Sequence, residues 1–240
     1  RWRGVAVFTP AAPRAVAAVI AEPVRSIPYV PPPGFWQSVR RACDDLGALL
    51  IFDEIPSGLG KTGRMFACEH SGVVPDILVL GKPLGGGVMP ISAVVAKPEL
   101  DIGGDWAVGH YTHEKTPVRC AAALTTIEII EDEDLVENAR VLGAHALDRL
   151  GEMKSRHRLI GDVRGLGLMI GVELAEDIAA FADSKRPASV QIVERLHAAG
   201  LLTIPASARV FRLLPPLNIS KQDADEGLAI IESVIKELAS

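Results

Sequence analysis

Two strand-like apolar runs are followed by side chains whose types suit one particular chemistry. Residues 49–52 are apolar and lead to Asp53, and residues 77–80 are apolar and are followed closely by Lys82. The carboxyl ends of parallel strands share one edge of a sheet, and open α/β sheets bind their ligands there. A lysine amine can form a Schiff base with the aldehyde of pyridoxal 5'-phosphate (PLP), and a carboxylate can keep the pyridine nitrogen protonated. The pair therefore predicts PLP chemistry, with Lys82 and Asp53 as the catalytic residues.

Composition argues against several other classes of protein. A chain of 240 residues can bury a sizeable core. Its 25 Lys and Arg against 30 Asp and Glu give a net charge of −5. The sequence has no basic block, which disfavours a nucleic-acid partner. No apolar run approaches the roughly 18–20 residues of a membrane helix, so we expect no membrane partner. Cys43, Cys68 and Cys120 have no CxxC spacing. Reduced thiols and a cytoplasmic location are the prediction.

Hydrophobic periodicity predicts a larger α/β region and then a smaller α+β region, with the boundary near residue 155. The predicted elements are strand 16–21, helix 35–46, strands 48–53, 76–80 and 92–96, helices 117–131 and 135–154, a bent or paired strand 162–174, helix 187–199, strands 201–204 and 210–214, and helix 223–238. Strand 92–96 follows Lys82 too closely for a crossover, so it is expected to be antiparallel to its neighbour.

Residues 58–63 match G-x-G-x-x-G and give a competing interpretation, a nucleotide-binding loop. That loop needs a helix that opens on its last glycine and an acid at the end of the next strand, whereas Asp76 begins the next strand. Lys61 hints at a phosphate-binding loop, but Ile55 stands where the first glycine of that motif belongs. A flexible turn beside an active site is the favoured interpretation.

Histidines at 110 and 113, next to Glu114, resemble half of a metal site, but their spacing has no helical context, so no metal is predicted. Arg212 stands in the apolar run 210–214 and needs an anion. Its partner is either a structural carboxylate, Glu22 or Glu173, or the carboxylate of a substrate, and the sequence leaves both open.

Several segments together resemble the class III, PLP-dependent aminotransferases of fold type I. They are AAVIAEPV at 17–24, VPPPGFW at 30–36, LLIFDEIPSGLGKTG at 49–63, GVVPDILVLGKPLGGG at 72–87, VRGLGLMIGVEL at 163–174 and FRLLPPL at 211–217. The resemblance implies a mixed, mostly parallel sheet that lacks its N-terminal part. Residues 1–154 would be the C-terminal part of the large PLP-binding domain with connecting helices, and 155–240 a small α+β domain.

For the cofactor, the resemblance implies that Lys82 carries the Schiff base and Asp53 holds the pyridine nitrogen. Ile55 matches the residue that packs on the ring face, and Thr112 matches a threonine that reaches the cofactor phosphate of the neighbouring subunit. The implied assembly is a homodimer with active sites shared between the subunits.

For the substrate, Glu22 and Arg212 match a gate pair in which the arginine binds an α-carboxylate and the glutamate masks it when an ω-amine is processed. The implied reaction transfers an amino group between an amine or amino acid and a keto acid or aldehyde. The family also contains racemases and lyases, so a PLP-dependent lyase or epimerase is an alternative. A non-catalytic or nucleotide-binding domain is another.

Departures from the family pattern affect substrate and reaction type more than cofactor. Pro56 stands where relatives have a glutamine that binds the phenolic oxygen, and the segments 25–30 and 113–117 differ as well. The phosphate-binding loop and stacking aromatic that relatives carry upstream are absent. We therefore expect the C-terminal part of a longer enzyme, inactive as an isolated chain.

Overall fold

The computed structural model describes residues 16–103, 105, 112, 116–176, 178–181 and 185–239. The chain forms two compact units. The first unit comprises Arg1–Pro23, Pro31–Leu59 and Phe66–Glu131, and the second comprises Val24–Val30, Gly60–Met65 and Asp132–Ser240. Two short segments that interrupt the first unit in sequence, Val24–Val30 and Gly60–Met65, thus belong to the second unit. The domain division at residue 154 stays a prediction.

A four-stranded sheet organises the first unit. Its strands are β1 (Ala18–Ala21), β2 (Leu49–Asp53), β3 (Ile77–Leu80) and β4 (Ala93–Ala96), in that spatial order. The first three are parallel, and β4 is antiparallel to β3. The predicted mixed, mostly parallel sheet is confirmed, as is the antiparallel direction of the strand after Lys82.

Helix α1 (Phe35–Leu46) connects β1 to β2 and covers the sheet, as the periodicity of its apolar residues predicts. Trp36 packs edge-on against Phe52 of β2 with ring centroids 4.7 Å apart, and its indole N–H donates to the Pro23 carbonyl oxygen at 2.9 Å. The helix ends at Gly47, whose φ of 65° suits glycine at the end of a helix. The core of the first unit lies between α1 and β2.

The second unit has its own antiparallel sheet, in the order β5-β6-β8-β7. The strands are β5 (Ile160–Leu166), β6 (Met169–Leu174), β7 (Ile204–Pro205) and β8 (Val210–Leu213). The helices of this unit are α3 (Leu135–Arg156), α4 (Ala188–Ala198) and α5 (Lys221–Ala239); α2 (Pro117–Asp132) lies almost wholly in the first unit. One apolar core joins α3, α4 and α5 to this sheet. The predicted C-terminal α+β architecture is confirmed.

One detail differs from the sequence prediction. The strand predicted at 201–204 is reduced to Ile204–Pro205, because only those residues pair with β8. Of the two alternatives predicted for 162–174, the strand pair is confirmed, since β5 and β6 form an antiparallel hairpin. Among the described residues, no helix is both long and apolar enough to cross a bilayer.

Candidate active site

The carboxyl ends of the three parallel strands bring the predicted catalytic residues of the first unit to one edge. Ala21 pairs with Phe52, so the next residues, Glu22 and Asp53, leave β1 and β2 at the same level. Asp53 is in turn level with Val79 of β3, and Lys82 follows three residues later. The edge thus combines two carboxylates and an amine, at the position where such sheets bind ligands. We call this set the lysine edge.

Asp53 and Glu54 are adjacent acids with different surroundings. Glu54 is 1% exposed, and its carboxylate accepts the backbone N–H groups of Ala67 at 2.6 Å and Cys68 at 2.7 Å. Burial raises the pKa of Glu54, although these hydrogen bonds oppose the rise. Glu54 therefore has a structural task, to hold the 3-10 helix that begins at Ala67.

Asp53 is only half-buried, and its Oδ1 accepts the Ile55 N–H at 3.0 Å. Among the described residues, nothing occupies the other oxygen of this carboxylate. A carboxylate with one oxygen held and one free can bind a protonated heterocycle without losing its orientation.

Lys82 begins a 3-10 helix, Lys82–Gly85, directly beyond β3. Its side chain is exposed, and within the described part of the chain its ammonium makes neither a hydrogen bond nor an ion pair. Its φ of 37° is in the left-handed region, which costs a residue other than glycine on the order of 1–3 kcal/mol. Such strain is concentrated at functional sites, where the surrounding structure imposes it.

Small residues around Lys82 are required by close packing. A Cβ atom on Gly81 would lie 3.3 Å from Cγ2 of Ile55, and one on Gly85 would lie 3.1 Å from Cγ2 of Ile91. Gly86 has a φ of 66°, and a Cβ there would lie 2.9 Å from Oγ1 of Thr126. Ile55, predicted to face the cofactor ring, therefore packs beside the residue that precedes Lys82.

Asp76 anchors the opposite end of the same strands, a role that sequence reasoning missed. Its carboxylate accepts the Leu50 N–H at 2.7 Å and pairs with Arg40 at 2.7 Å and Lys97 at 2.6 Å. Burial alone would raise its pKa, but these hydrogen bonds and charges outweigh burial and lower the pKa to about 2. The acid thus links β2, α1 and the end of β4. Its position just before a buried strand is the sequence feature that could have predicted this structural role.

Arg212 lies in β8 of the second unit. Its Nη1 donates to the Ser26 carbonyl oxygen at 2.7 Å, and its buried Nε has no hydrogen-bond partner among the residues that the structure describes. Glu173, one of the two structural partners considered, instead pairs with Arg164 at 2.7 Å and Arg209 at 3.2 Å. Among the described carboxylates of the second unit, none pairs with Arg212.

Arg212 also lines a cavity of about 510 Å³ within the second unit. Its walls are mainly leucine, isoleucine, alanine and proline side chains, with His197, Thr203 and Asp223 as further polar members. A guanidinium at the wall of an apolar cavity is suited to an anionic group on an otherwise apolar molecule.

The structure does not test the roles of the other predicted residues. Glu22 belongs to the first unit and Arg212 to the second, so their pairing as a gate stays a prediction. Thr112 is exposed, and its role toward a neighbouring subunit also stays a prediction. His110 and His113 lie outside the described residues. No helix opens at Gly63, where turns continue, which is contrary to the dinucleotide-loop interpretation.

Comparison with known proteins agrees with this geometry. The family model "Aminotransferase class-III" matches residues 4–235. Leucine/methionine racemase of Thermococcus litoralis is 44% identical over 93% of this chain and 50% of its own length. The ammonia-lyase for (R)-1-hydroxy-2-aminoethylphosphonate of Vibrio splendidus is 38% identical over 93% and 47%, respectively.

A solved ornithine aminotransferase from Toxoplasma gondii, described as having partial PLP occupancy at its active site, superposes with a TM-score of 0.83. It is 32% identical, and the match covers 92% of this chain and 51% of that structure. The chain has the α/β fold of PLP-dependent aminotransferases, and it belongs to the class III aminotransferase family. It spans about half the length of the curated relatives it matches.

Proposed function

We propose that the protein containing this chain is a PLP-dependent enzyme that transfers an amino group between an amine or amino acid and a keto acid or aldehyde. The observation that carries the proposal is the lysine edge, where Lys82 and Asp53 lie at the carboxyl ends of neighbouring parallel strands. Lys82 has a strained backbone and no ion pair among the described residues, and Asp53 has one carboxylate oxygen bound to the Ile55 N–H. Family membership supports the same chemistry.

The residues of the lysine edge fit PLP. When bound, this cofactor supplies an aldehyde that exchanges between amines and a pyridinium ring that takes up electrons. The free oxygen of Asp53 would hold the ring nitrogen, and the Ile55 side chain would pack on the ring face. Lys82 would hold the cofactor covalently and, once displaced by a substrate amine, would move a proton to and from the substrate α-carbon.

For proton transfer, Lys82 must be free of competing partners and held near the reacting carbon. The exposed ammonium, without a described ion pair, satisfies the first condition. The second is supported by the packing of Gly81 and Gly85 against Ile55 and Ile91, because an added Cβ atom would lie 3.3 Å and 3.1 Å from their Cγ2 atoms and leaves little free space around the lysine backbone.

Arg212 is proposed to bind the substrate carboxylate, and Glu22 to act as its gate. The Nε supports this role, since it has no partner among the described residues and its N–H is parallel to one of Nη2, which together form the bidentate donor pair that carboxylate recognition needs. The apolar walls of the cavity favour amino acids with apolar side chains. The 44% identity to a leucine/methionine racemase points in the same direction.

A racemase or lyase is the second candidate. The relatives named above include one of each, and Pro56 cannot donate the hydrogen bond that a glutamine at this position gives in the family. Proton return to the opposite face of the α-carbon, or loss of ammonia, would need the same Lys82 and Asp53.

We further propose a cytoplasmic homodimer whose active sites are shared between subunits. The exposed position of Thr112 suits a residue that reaches a neighbouring subunit. Cys43, Cys68 and Cys120 are all free thiols, which suits a reducing compartment.

The proposal is tested on the complete protein, loaded with PLP and reduced with borohydride. Peptide mapping is expected to find the pyridoxyl group on Lys82, with Lys82→Arg losing the label and Lys97→Arg keeping it. Label on Lys61, Lys97 or another lysine would contradict the assignment.

The reaction type is decided by three product measurements on the same preparation. A transaminase consumes keto acid in step with amino-acid formation. A racemase changes the enantiomer ratio without a keto acid, and a lyase releases ammonia. Turnover retained in Lys82→Ala would refute all three versions.

A further inference from the structure

The loop at residues 60–65 contains the last four positions of the glycine-rich motif at 58–63, which has no nucleotide-binding role in the proposed function, and it packs tightly within the second unit. A Cβ atom on Gly60 would lie 3.2 Å from Leu217, and one on Gly63 would lie 2.9 Å from Cα of Arg140. Gly60 and Gly63 have φ values of 90° and 79°, so glycine is needed for both the backbone conformation and the space.

Lys61 lies within this loop, and both its backbone carbonyl and its side-chain ammonium form hydrogen bonds. Its backbone carbonyl accepts the N–H of Leu168, in the turn between β5 and β6, at 3.0 Å. Its Nζ donates to the carbonyl oxygen of Pro215 at 2.7 Å. Burial lowers the pKa of the Lys61 ammonium to about 8, and within the described residues no carboxylate pairs with it.

Pro215 follows β8 closely, three residues after Arg212. Proline lacks an N–H, so Pro215 and Pro216 cannot continue the hydrogen-bond ladder of the strand. Side chains from elsewhere in the unit hold this segment instead. Lys61 binds the Pro215 carbonyl, and Nδ2 of Asn138 donates to the Leu217 carbonyl at 2.6 Å.

We propose that Lys61 is a positioning residue for Arg212. Its ammonium holds the segment that follows β8 and so sets the position of the guanidinium relative to a substrate carboxylate. This inference rests on the proposed role of Arg212. A bidentate contact tolerates displacement of about half an ångström, so loss of a charge-assisted bond three residues away affects it directly. A substrate without a carboxylate does not depend on that position.

The experiment uses the complete, PLP-loaded enzyme at pH 7 and compares Lys61→Met, Lys61→Arg and a matched control, Lys154→Met, whose lysine pairs with Asp162 on the surface of the same unit. Two readouts are measured. One is kcat/KM for an apolar amino acid and for the corresponding amine without its carboxylate. The other is hydrogen exchange of the peptide that covers residues 213–219.

Lys61→Met is expected to lower kcat/KM for the amino acid about tenfold and for the amine less than about twofold, since a charged hydrogen bond is lost but no reacting group. Exchange in 213–219 should rise about tenfold. Lys61→Arg should restore both readouts, because a guanidinium can also donate to the carbonyl, and Lys154→Met should leave both unchanged. If Lys61→Met does not fold, Lys61→Gln replaces it, with smaller shifts in the same direction.

Unchanged exchange in 213–219, or equal losses for the amino acid and the amine, would overturn the inference. Failure of the proposed function looks different. If Arg212→Ala itself does not discriminate between the two substrates, the carboxylate role of Arg212 is wrong, and the exchange measurement still decides whether Lys61 holds the segment.

Discussion

Gly143 in helix α3 tests whether the second unit packs as closely as described. In an exposed helix interior, replacing glycine with alanine stabilises the protein by about 1 kcal/mol. The reason is that the unfolded chain with alanine has less backbone conformational entropy to lose on folding. A Cβ atom on Gly143, however, would lie 2.2 Å from the carbonyl carbon and oxygen of Gly167, far inside contact distance. Both groups are backbone, so no rotamer change relieves the overlap.

The expected net effect of Gly143→Ala is destabilisation of about 2 kcal/mol or more, since overpacking costs about 1–3 kcal/mol and the neighbouring backbone is itself confined. Gly167 has a φ of 53°, and a Cβ atom there would lie 2.4 Å from the carbonyl carbon of Thr62. The turn between β5 and β6 is therefore packed against Thr62 and cannot move away from α3 without a clash. Gly151 in the same helix has nothing within 4 Å of its added Cβ and serves as the matched control.

The assay is urea denaturation of the complete protein, followed by far-UV circular dichroism. Gly151→Ala should raise the midpoint by an amount equivalent to up to about 1 kcal/mol, and Gly143→Ala should lower it, both with unchanged slope. If Gly143→Ala stabilises as much as Gly151→Ala, the close approach of α3 to the β5–β6 turn is wrong.

Four further substitutions test the active site and the strands that support it. Asp76→Asn should destabilise by about 2 kcal/mol at neutral pH, from the lowering of its pKa from 3.8 to about 2. Because the lowered pKa stabilises the charged form, this contribution is complete above about pH 4 and disappears as pH falls through 2, which urea titrations at several pH values measure. Asp44→Asn removes the exposed partner of the same Arg40 and should cost less than about 1 kcal/mol. Asp53→Ala should reduce turnover by several orders of magnitude with a smaller loss of PLP binding, and near-normal turnover would exclude its role at the ring nitrogen. Arg212→Ala should cost on the order of 2–4 kcal/mol in kcat/KM for carboxylate-bearing substrates and much less for simple amines, as steady-state kinetics can show.

Local pattern determined a large part of this fold. The apolar spacing of helix α1 and the glycine after it predicted the bounds Phe35–Leu46, since a helix with one buried stripe and a glycine end has a local signature. The short apolar runs of β2 and β3 predicted parallel strands, and their ends predicted an acid and a lysine at one edge. These features depend on neighbours in sequence and on a regular period.

Tertiary structure decided what depended on distant partners. Of two adjacent acids, Glu54 accepts the backbone N–H groups of Ala67 and Cys68, whereas Asp53 has one carboxylate oxygen without a partner among the described residues. The hydrogen-bond acceptor of the Lys61 ammonium is the carbonyl oxygen of Pro215, 154 positions away in sequence. A segment whose glycine spacing suggested a nucleotide-binding loop is therefore bound to the segment after β8. Burial and partner choice arise only when separate segments meet, so composition and spacing predicted which residue types reach the site, and packing determined which of them remain available for chemistry.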